Sequence, residues 1–212
     1  LEVNYVSEVN KIVIDGKIKE FIELNEIKQN SDLNSIANEI EKNLENIKVV
    51  LIAGPSSSGK TTTSKKLSLY LKGKGINSFV LSTDDFFLER KNTPKNEKGE
   101  YLFDIPEAID IELFNQKLND LLEKKETLLP TYNFLTGEKE YKGKPVKLKE
   151  KDLIIIEGIH TLNDLLTSSI DRKNKYKIYI SPFTPLGLDR HNHVSTLDLR
   201  LIRRLVRDYR TR

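Results

Sequence analysis

The sequence predicts an α/β fold: a doubly wound parallel sheet with a projecting β-hairpin and an N-terminal helical lead-in. Four short apolar runs, Val49 to Ala53, Ser78 to Ser82, Leu153 to Glu157 and Tyr176 to Ile180, have the length and hydrophobicity of strands buried on both faces. Amphipathic stretches at Thr62 to Lys72 and Ile111 to Lys124 lie between them and are long enough for crossover helices. A Gly/Ser-rich loop joins the first run to the first of these helices, at the carboxyl end of a strand, where such sheets hold ligands.

Residues 1–46 show no strand-like alternation. Leu33, Ile36, Ala37, Ile40 and Leu44 recur at helical spacing behind Ser31, a good N-cap, which predicts a helix starting there. After the second strand, residues 89–100 are rich in Lys, Asn, Glu and Gly and read as an exposed, mobile loop. Leu128 to Phe134 and Lys139 to Leu148 flank Thr136-Gly137-Glu138 and read as the two arms of the hairpin. The expected division is an N-terminal helical segment over 1–46, packed on an α/β domain over 47–212.

A chain of 212 residues supports one substantial core and is too short for two full domains of usual size. Its 32% charged and 37% apolar residues suit a globular protein and exclude wholesale disorder. No apolar run is long enough to cross a bilayer and the N-terminus lacks a basic-then-apolar signal pattern, so a cytoplasmic location is expected, with no membrane partner. The absence of Cys agrees with a reducing compartment and excludes thiolate metal sites. Against 32 acidic residues, 35 basic ones leave a net charge of +3, which makes no general case for nucleic acid. The lack of Met, the start at Leu1 and the stop at Arg212 inside a helical pattern suggest a fragment, cut in or after its arginine-rich segment.

Gly54-Pro55-Ser56-Ser57-Ser58-Gly59-Lys60-Thr61 has the spacing and strand-before, helix-after context of a P-loop, which makes the sheet one of the P-loop NTPase type. Gly54 and Gly59 permit a turn tight enough for consecutive main-chain N–H groups to face a phosphate, and the next helix brings its positive end to the same point. Lys60 would reach the β- and γ-phosphates of ATP, the Thr61 hydroxyl would hold Mg²⁺, and Ser56, Ser57, Ser58 and Thr62 would complete the nucleotide-binding run.

The second strand ends in Ser82-Thr83-Asp84-Asp85, which sets an acidic pair beside the loop, where a substrate hydroxyl could meet the γ-phosphate. Asp84 is therefore the candidate base, against the plainer alternative of an Asp pair that caps the next helix. The third strand ends in Glu157-Gly158-Ile159-His160, and an acid at that place in P-loop proteins holds Mg²⁺ or its water. A lone His at a strand end is more often a packing residue than a catalyst, so His160 stays outside the catalytic set. Near the C-terminus, Arg200, Arg203, Arg204 and Arg207 share one helical face, continued by Arg210 and Arg212, with Leu201, Ile202, Leu205, Val206 and Tyr209 on the other. A core-facing helix with this pattern would present guanidinium groups as a lid over the transferring phosphate.

These features resemble the uridine kinase and phosphoribulokinase family. The resemblance runs through Gly54 to Thr62, Ser82 to Phe87, Phe103-Asp104-Ile105-Pro106-Glu107-Ala108, Pro130-Thr131-Tyr132-Asn133-Phe134, Glu157-Gly158-Ile159 and Arg200 to Arg207, from about Val49 to Arg212. It implies an ATP- and Mg²⁺-dependent kinase of a small-molecule sugar hydroxyl, typically the 5′-OH of uridine or cytidine. On that pattern Asp84 matches the base, Phe87 stands where Tyr is usual, and Asp104, with Phe103 beside it, matches the acid that holds ribose hydroxyls. Tyr132 and Phe134 match aromatics beside the base, Arg200 and Arg203 match the substrate and phosphate grip, and Arg207 joins Arg203 as a catalytic candidate from the lid face. The His that reads the base in uridine kinases is absent, because Leu135-Thr136-Gly137-Glu138 follows Phe134. The stretch His191 to Thr196 and the helical lead-in look like a bacterial branch that carries further N-terminal modules.

Three alternatives stand beside this reading. The acceptor could be ribulose 5-phosphate, pantothenate or a nicotinamide riboside, and the protein could instead be an ATP-switched RNA-binding module. A GTPase is disfavoured, since the chain has neither an Asn-Lys-x-Asp guanine reader nor an Asp-x-x-Gly switch. Self-association is left open.

Overall fold

The computed structural model describes residues 3–182 and 186–211, and the side chains of 210 and 211 are not described. Two helices lead in, α1 (Val6–Ile14) and α2 (Ile18–Lys42), joined through Gly16 at φ +71°. The helix expected to begin after Ser31 begins at Ile18 instead. No Gly or Pro interrupts 18–42, so strong helix formers carry the helix through Ser31, whose carbonyl accepts the Ser35 hydroxyl at 3.1 Å. A capping residue ends or starts a helix only where the neighbouring sequence also lets it stop.

The sheet comprises β1 (Val49–Ala53), β2 (Ser78–Ser82), β5 (Leu153–Gly158) and β6 (Lys175–Tyr179), in the order β2-β5-β1-β6, all parallel. The last strand lies one residue earlier than its apolar run suggests. Two helices serve as crossovers, α3 (Lys60–Gly73) after β1 and α4 (Ile111–Leu122) after β2. Every residue of β1 and β5 is buried, as continuous apolar runs require. Period-two alternation divides the core between the two faces. Val49, Leu51, Ile154 and Ile156 pack with Phe86 and with Phe114, Leu118 and Leu121 of α4. Val50, Ile52 and Ile155 pack with Leu67 and Leu71 of α3 and with Ala37 and Ile40 of α2. Each of the large side chains contributes on the order of 1.5–3 kcal/mol by leaving water.

The hairpin is shorter than its sequence signal. β3 (Thr131–Asn133) and β4 (Glu138–Glu140) pair antiparallel, and beyond them an isolated bridge joins Thr127 to Val146. Pro130 and Pro145 lack the N–H a ladder needs, so pairing cannot run continuously between them. Residues 89–100 are not featureless either: they hold a 3₁₀ turn at Arg90–Asn92, the buried Thr93 and a bridge from Lys95 to Tyr101.

The largest departure is α5 (Thr196–Thr211). Its apolar face does not pack on the core: Leu201, Ile202, Leu205, Val206 and Tyr209 are between 48% and 91% exposed. Both sheet faces are already covered, one by α2 and α3 and the other by α4, so α5 does not add a layer to the sheet. Arg200 and Arg203 turn towards the protein instead. No described helix is long and apolar enough to cross a membrane.

Candidate active site

The loop between β1 and α3 owes its shape to contacts as well as to glycine. A side chain at Gly54 would place Cβ 2.5 Å from the Ile180 carbonyl oxygen and 2.7 Å from the Ser58 hydroxyl, so none fits. Gly59, at φ +105°, caps α3 in the left-handed region that favours glycine. Inside the loop the Ser57 and Ser58 hydroxyls are buried with no hydrogen-bond partner among the described residues, and Ser58 as a whole is 7% exposed. Buried hydroxyls without partners are costly, and an anion at the N-terminus of α3 would satisfy them.

Lys60, the first residue of α3, donates to the Pro55 carbonyl at 3.3 Å. Burial lowers its pKa, against the opposing pull of the Glu157 and Asp84 carboxylates. Thr61 donates its hydroxyl to Glu157 at 2.8 Å. Glu157 is 7% exposed, and burial raises its pKa while the Thr61 bond lowers it.

Asp84 sits on a 3₁₀ turn (Thr83–Phe86) at the end of β2, with its N–H donating to the Ser82 hydroxyl at 3.3 Å. The carboxyl reaches solvent in the cleft, yet the protein packed around it raises its pKa, and the Asp104 carboxylate adds to this while Lys60 and His160 oppose it. Thr83 is wedged against Gly158 of β5, where an added Cβ would lie 1.8 Å from the Thr83 hydroxyl. That close approach brings the turn bearing Asp84 to the strand end bearing Glu157. Asp85 faces the hairpin, where it accepts the Tyr132 N–H at 3.4 Å.

Along α5, Arg200 donates to the Ser56 carbonyl at 2.9 Å, and Arg203 donates to Ser57 at 2.9 Å and Ser58 at 3.5 Å. Both arginines thus dock on the back of the phosphate loop. Arg207 lines one cleft with Arg203 and pairs with Asp208 at 3.0 Å, whereas Arg204, among the described residues, reaches only Asp208, at 3.9 Å. Arg212 lies outside the described residues, and nothing is described of the Arg210 side chain.

One cleft of about 620 Å³ is lined by Ser56, Ser57, Gly59, Lys60, Thr61, Thr62, Asp84, Glu157, Arg203 and Arg207, together with Ile159, Ile202 and Val206. These three lie inside the Glu157-Gly158-Ile159 and Arg200 to Arg207 stretches, although their residue types alone do not mark them as part of a site. A larger cavity of about 800 Å³ opens at the amino-terminal edge of the strands, between Ile47, Lys48, Asp152 and Asn174, and contains none of the expected site residues.

The expected acceptor residues form a second group. Phe87 lies 5.3 Å from Phe103, 5.7 Å from Tyr132 and 6.0 Å from Phe134, ring centre to ring centre and edge to face. Phe87 and Tyr132 are buried at 6% and 4%, so of the expected aromatics Phe134, at 57% exposure, is the one most open to a ligand. Arg90 donates to the carbonyls of Phe134 at 2.7 Å and Leu135 at 3.3 Å, and its side chain packs so closely on Gly137 that a Cβ there would lie 2.7 Å away. No local pattern marks this clamp on the hairpin tip, because Arg90 and the tip are 44 to 45 residues apart in the chain.

No group of three or more His, Cys, Asp or Glu side chains among the described residues could hold a metal ion. Thr61 and Glu157 nevertheless offer two adjacent oxygens beside the phosphate loop, which fits Mg²⁺, an ion that keeps most of its shell as water and phosphate oxygen.

The sequence model of the phosphoribulokinase / uridine kinase family matches residues 49–212. The uridine kinase of Staphylococcus aureus (strain JH9) is 32% identical over 165 residues, 77% of this chain and 70% of that protein. Among solved structures, the "putative fructose transport system kinase" of Silicibacter sp. TM1040 aligns with TM-score 0.57 at 21% identity, over 83% of this chain and 82% of its own, a likeness of fold.

Proposed function

From a chain that belongs to the phosphoribulokinase / uridine kinase family, phosphotransferases with an alcohol acceptor, we infer an ATP-dependent kinase of a sugar or nucleoside primary hydroxyl. The observation that carries the reading is the shared cleft, in which Asp84 faces Lys60 and the phosphate loop with Arg203 and Arg207 alongside.

ATP lies with its β- and γ-phosphates on the amides of residues 54–61, and Lys60 offsets their charge. The acceptor hydroxyl oxygen attacks the γ-phosphorus, its proton passes to the Asp84 carboxylate, and the bond to the bridging oxygen breaks to release ADP. The raised pKa of Asp84 makes it a better proton acceptor than an ordinary aspartate, and such a base contributes about 10²–10⁴-fold. Thr61 and, through water, Glu157 would hold Mg²⁺, which would supply positive charge to offset that of the phosphates. Arg203 and Arg207 stabilise the charge on the phosphoryl group in flight, and the carbonyls of Ser56 and Ser57 orient the lid arginines that bind them.

Asp104 and the exposed Phe134 hold the acceptor, with uridine or cytidine the favoured compounds. A phosphorylated acceptor such as ribulose 5-phosphate fits less well, because cations near the aromatic group are engaged. Arg90 binds two carbonyls, Lys139 pairs with Asp110, and Lys95 stands 4.6 Å over the Tyr101 ring. An RNA-binding role is weakened because Arg200 and Arg203 turn to the protein's own loop. The cysteine-free composition fits the expected cytoplasmic location.

The test is ADP release with Mg²⁺ and ATP over uridine, cytidine, ribulose 5-phosphate, pantothenate and nicotinamide riboside, with products identified by mass. Uridine- or cytidine-dependent release with a 5′-monophosphate product is expected. ADP release indifferent to every acceptor would overturn the reading.

A further inference from the structure

The end of β5 carries a side chain for which phosphoryl transfer as described leaves no task. His160 Nε2 lies 2.8 Å from the main-chain carbonyl oxygen of Asp104, 56 residues away. A carbonyl can only accept, so Nε2 carries the proton, which settles one ring position without reference to pH. Asp104 has no other hydrogen bond among the described residues. The next anchors of that segment are the Leu102 N–H on Pro94 and the Ala108 N–H on Ile105, at 2.8 and 3.1 Å. Phe103 and Ile105, on either side, pack against the core, so His160 supplies the one polar tie among the described residues at Asp104 itself.

We propose that His160 is a positioning residue for the acceptor half of the site: it ties the main chain at Asp104 to the strand end that carries Glu157, and so sets Asp104 opposite Asp84. The inference rests on the kinase reading above. Both His160 and Asp104 stand within electrostatic reach of the Asp84 carboxyl, so the tie lies beside the reacting groups. A histidine that merely filled space would need no polar partner on a separate loop, and His160 is only half-buried.

The test uses the whole chain with His160→Ala and His160→Gln, since the glutamine amide can reach the same carbonyl with an N–H. One net hydrogen bond corresponds to about 2–10-fold in an equilibrium, so His160→Ala should raise the KM for uridine by about that factor and leave the KM for ATP unchanged. His160→Gln should recover most of the loss. Amide hydrogen exchange supplies a second readout that needs no substrate: peptides spanning 100–108 should exchange faster in His160→Ala, return towards wild type in His160→Gln, and leave residues 49–61 unaffected. Unchanged exchange at 100–108 in His160→Ala overturns the inference, as does a loss spread equally over both KM values. If wild-type protein transfers phosphate to no acceptor, the kinase reading falls instead, and the exchange measurement still decides whether His160 anchors Asp104.

Discussion

Thr61 and Glu157 are 96 residues apart, yet the hydroxyl of one donates to the carboxylate of the other at 2.8 Å. This bond joins the first turn of α3 to the end of β5 and places two oxygens where Mg²⁺ would meet a nucleotide. Thr61→Ala removes one of them and deprives a buried carboxylate of its donor. The Mg²⁺ concentration for half-maximal activity should rise by about 10–100-fold, and stability should fall by about 1–3 kcal/mol. A Mg²⁺ titration at fixed ATP and thermal unfolding check both.

Asp84→Asn separates chemistry from binding. Turnover should drop by about 10²–10⁴-fold while ATP affinity, measured by calorimetry, is retained. Stability should move the other way. A carboxyl whose pKa is raised on folding binds its proton more tightly in the folded state, so it costs stability as pH rises from the unfolded value through the folded one. The Asn variant should therefore unfold at a higher temperature than wild type at pH 7, and the difference should vanish below about pH 4.

Gly158→Ala tests how the site is assembled. The new methyl would meet the Thr83 hydroxyl at 1.8 Å, so the turn bearing Asp84 must move away from β5. Overpacking of this kind costs about 1–3 kcal/mol, and turnover should fall with it. Adding Thr83→Ala should recover part of the stability, because that hydroxyl has no hydrogen-bond partner to lose among the described residues. Unfolding curves of the single and double variants decide the point.

The arginines of α5 should behave unequally despite their common helical face. Arg203 lines the cleft and holds the loop, whereas Arg204 pairs, among the described residues, only with Asp208 at its side. Arg203→Ala should lower kcat by about 10²–10³-fold and Arg204→Ala by less than about 3-fold, measured at saturating ATP.

Much of the site was legible because its parts are local. The phosphate loop, the acidic pair after β2 and the Glu-Gly after β5 each lie at the carboxyl end of an apolar run, and a parallel sheet gathers such ends along one edge. Elements whose shape depends on distant partners were harder to see. The Ser31 signal misled because the helix had no reason to break there, and the hairpin was cut short by prolines at its margins. The amphipathic pattern of α5 reveals two faces but not which one the protein will use.

Residue order alone determined the strands, the crossover helices and the phosphate loop, since these follow from hydrophobic period, glycine placement and hydrogen bonding between near neighbours. The tertiary structure decided that the α5 arginines turn inward to the Ser56 and Ser57 carbonyls, that Thr83 interlocks with Gly158, and that His160 meets Asp104. Each of these joins residues 56 to 146 positions apart, and no local pattern encodes which distant polar group will satisfy another once both sheet faces have been covered.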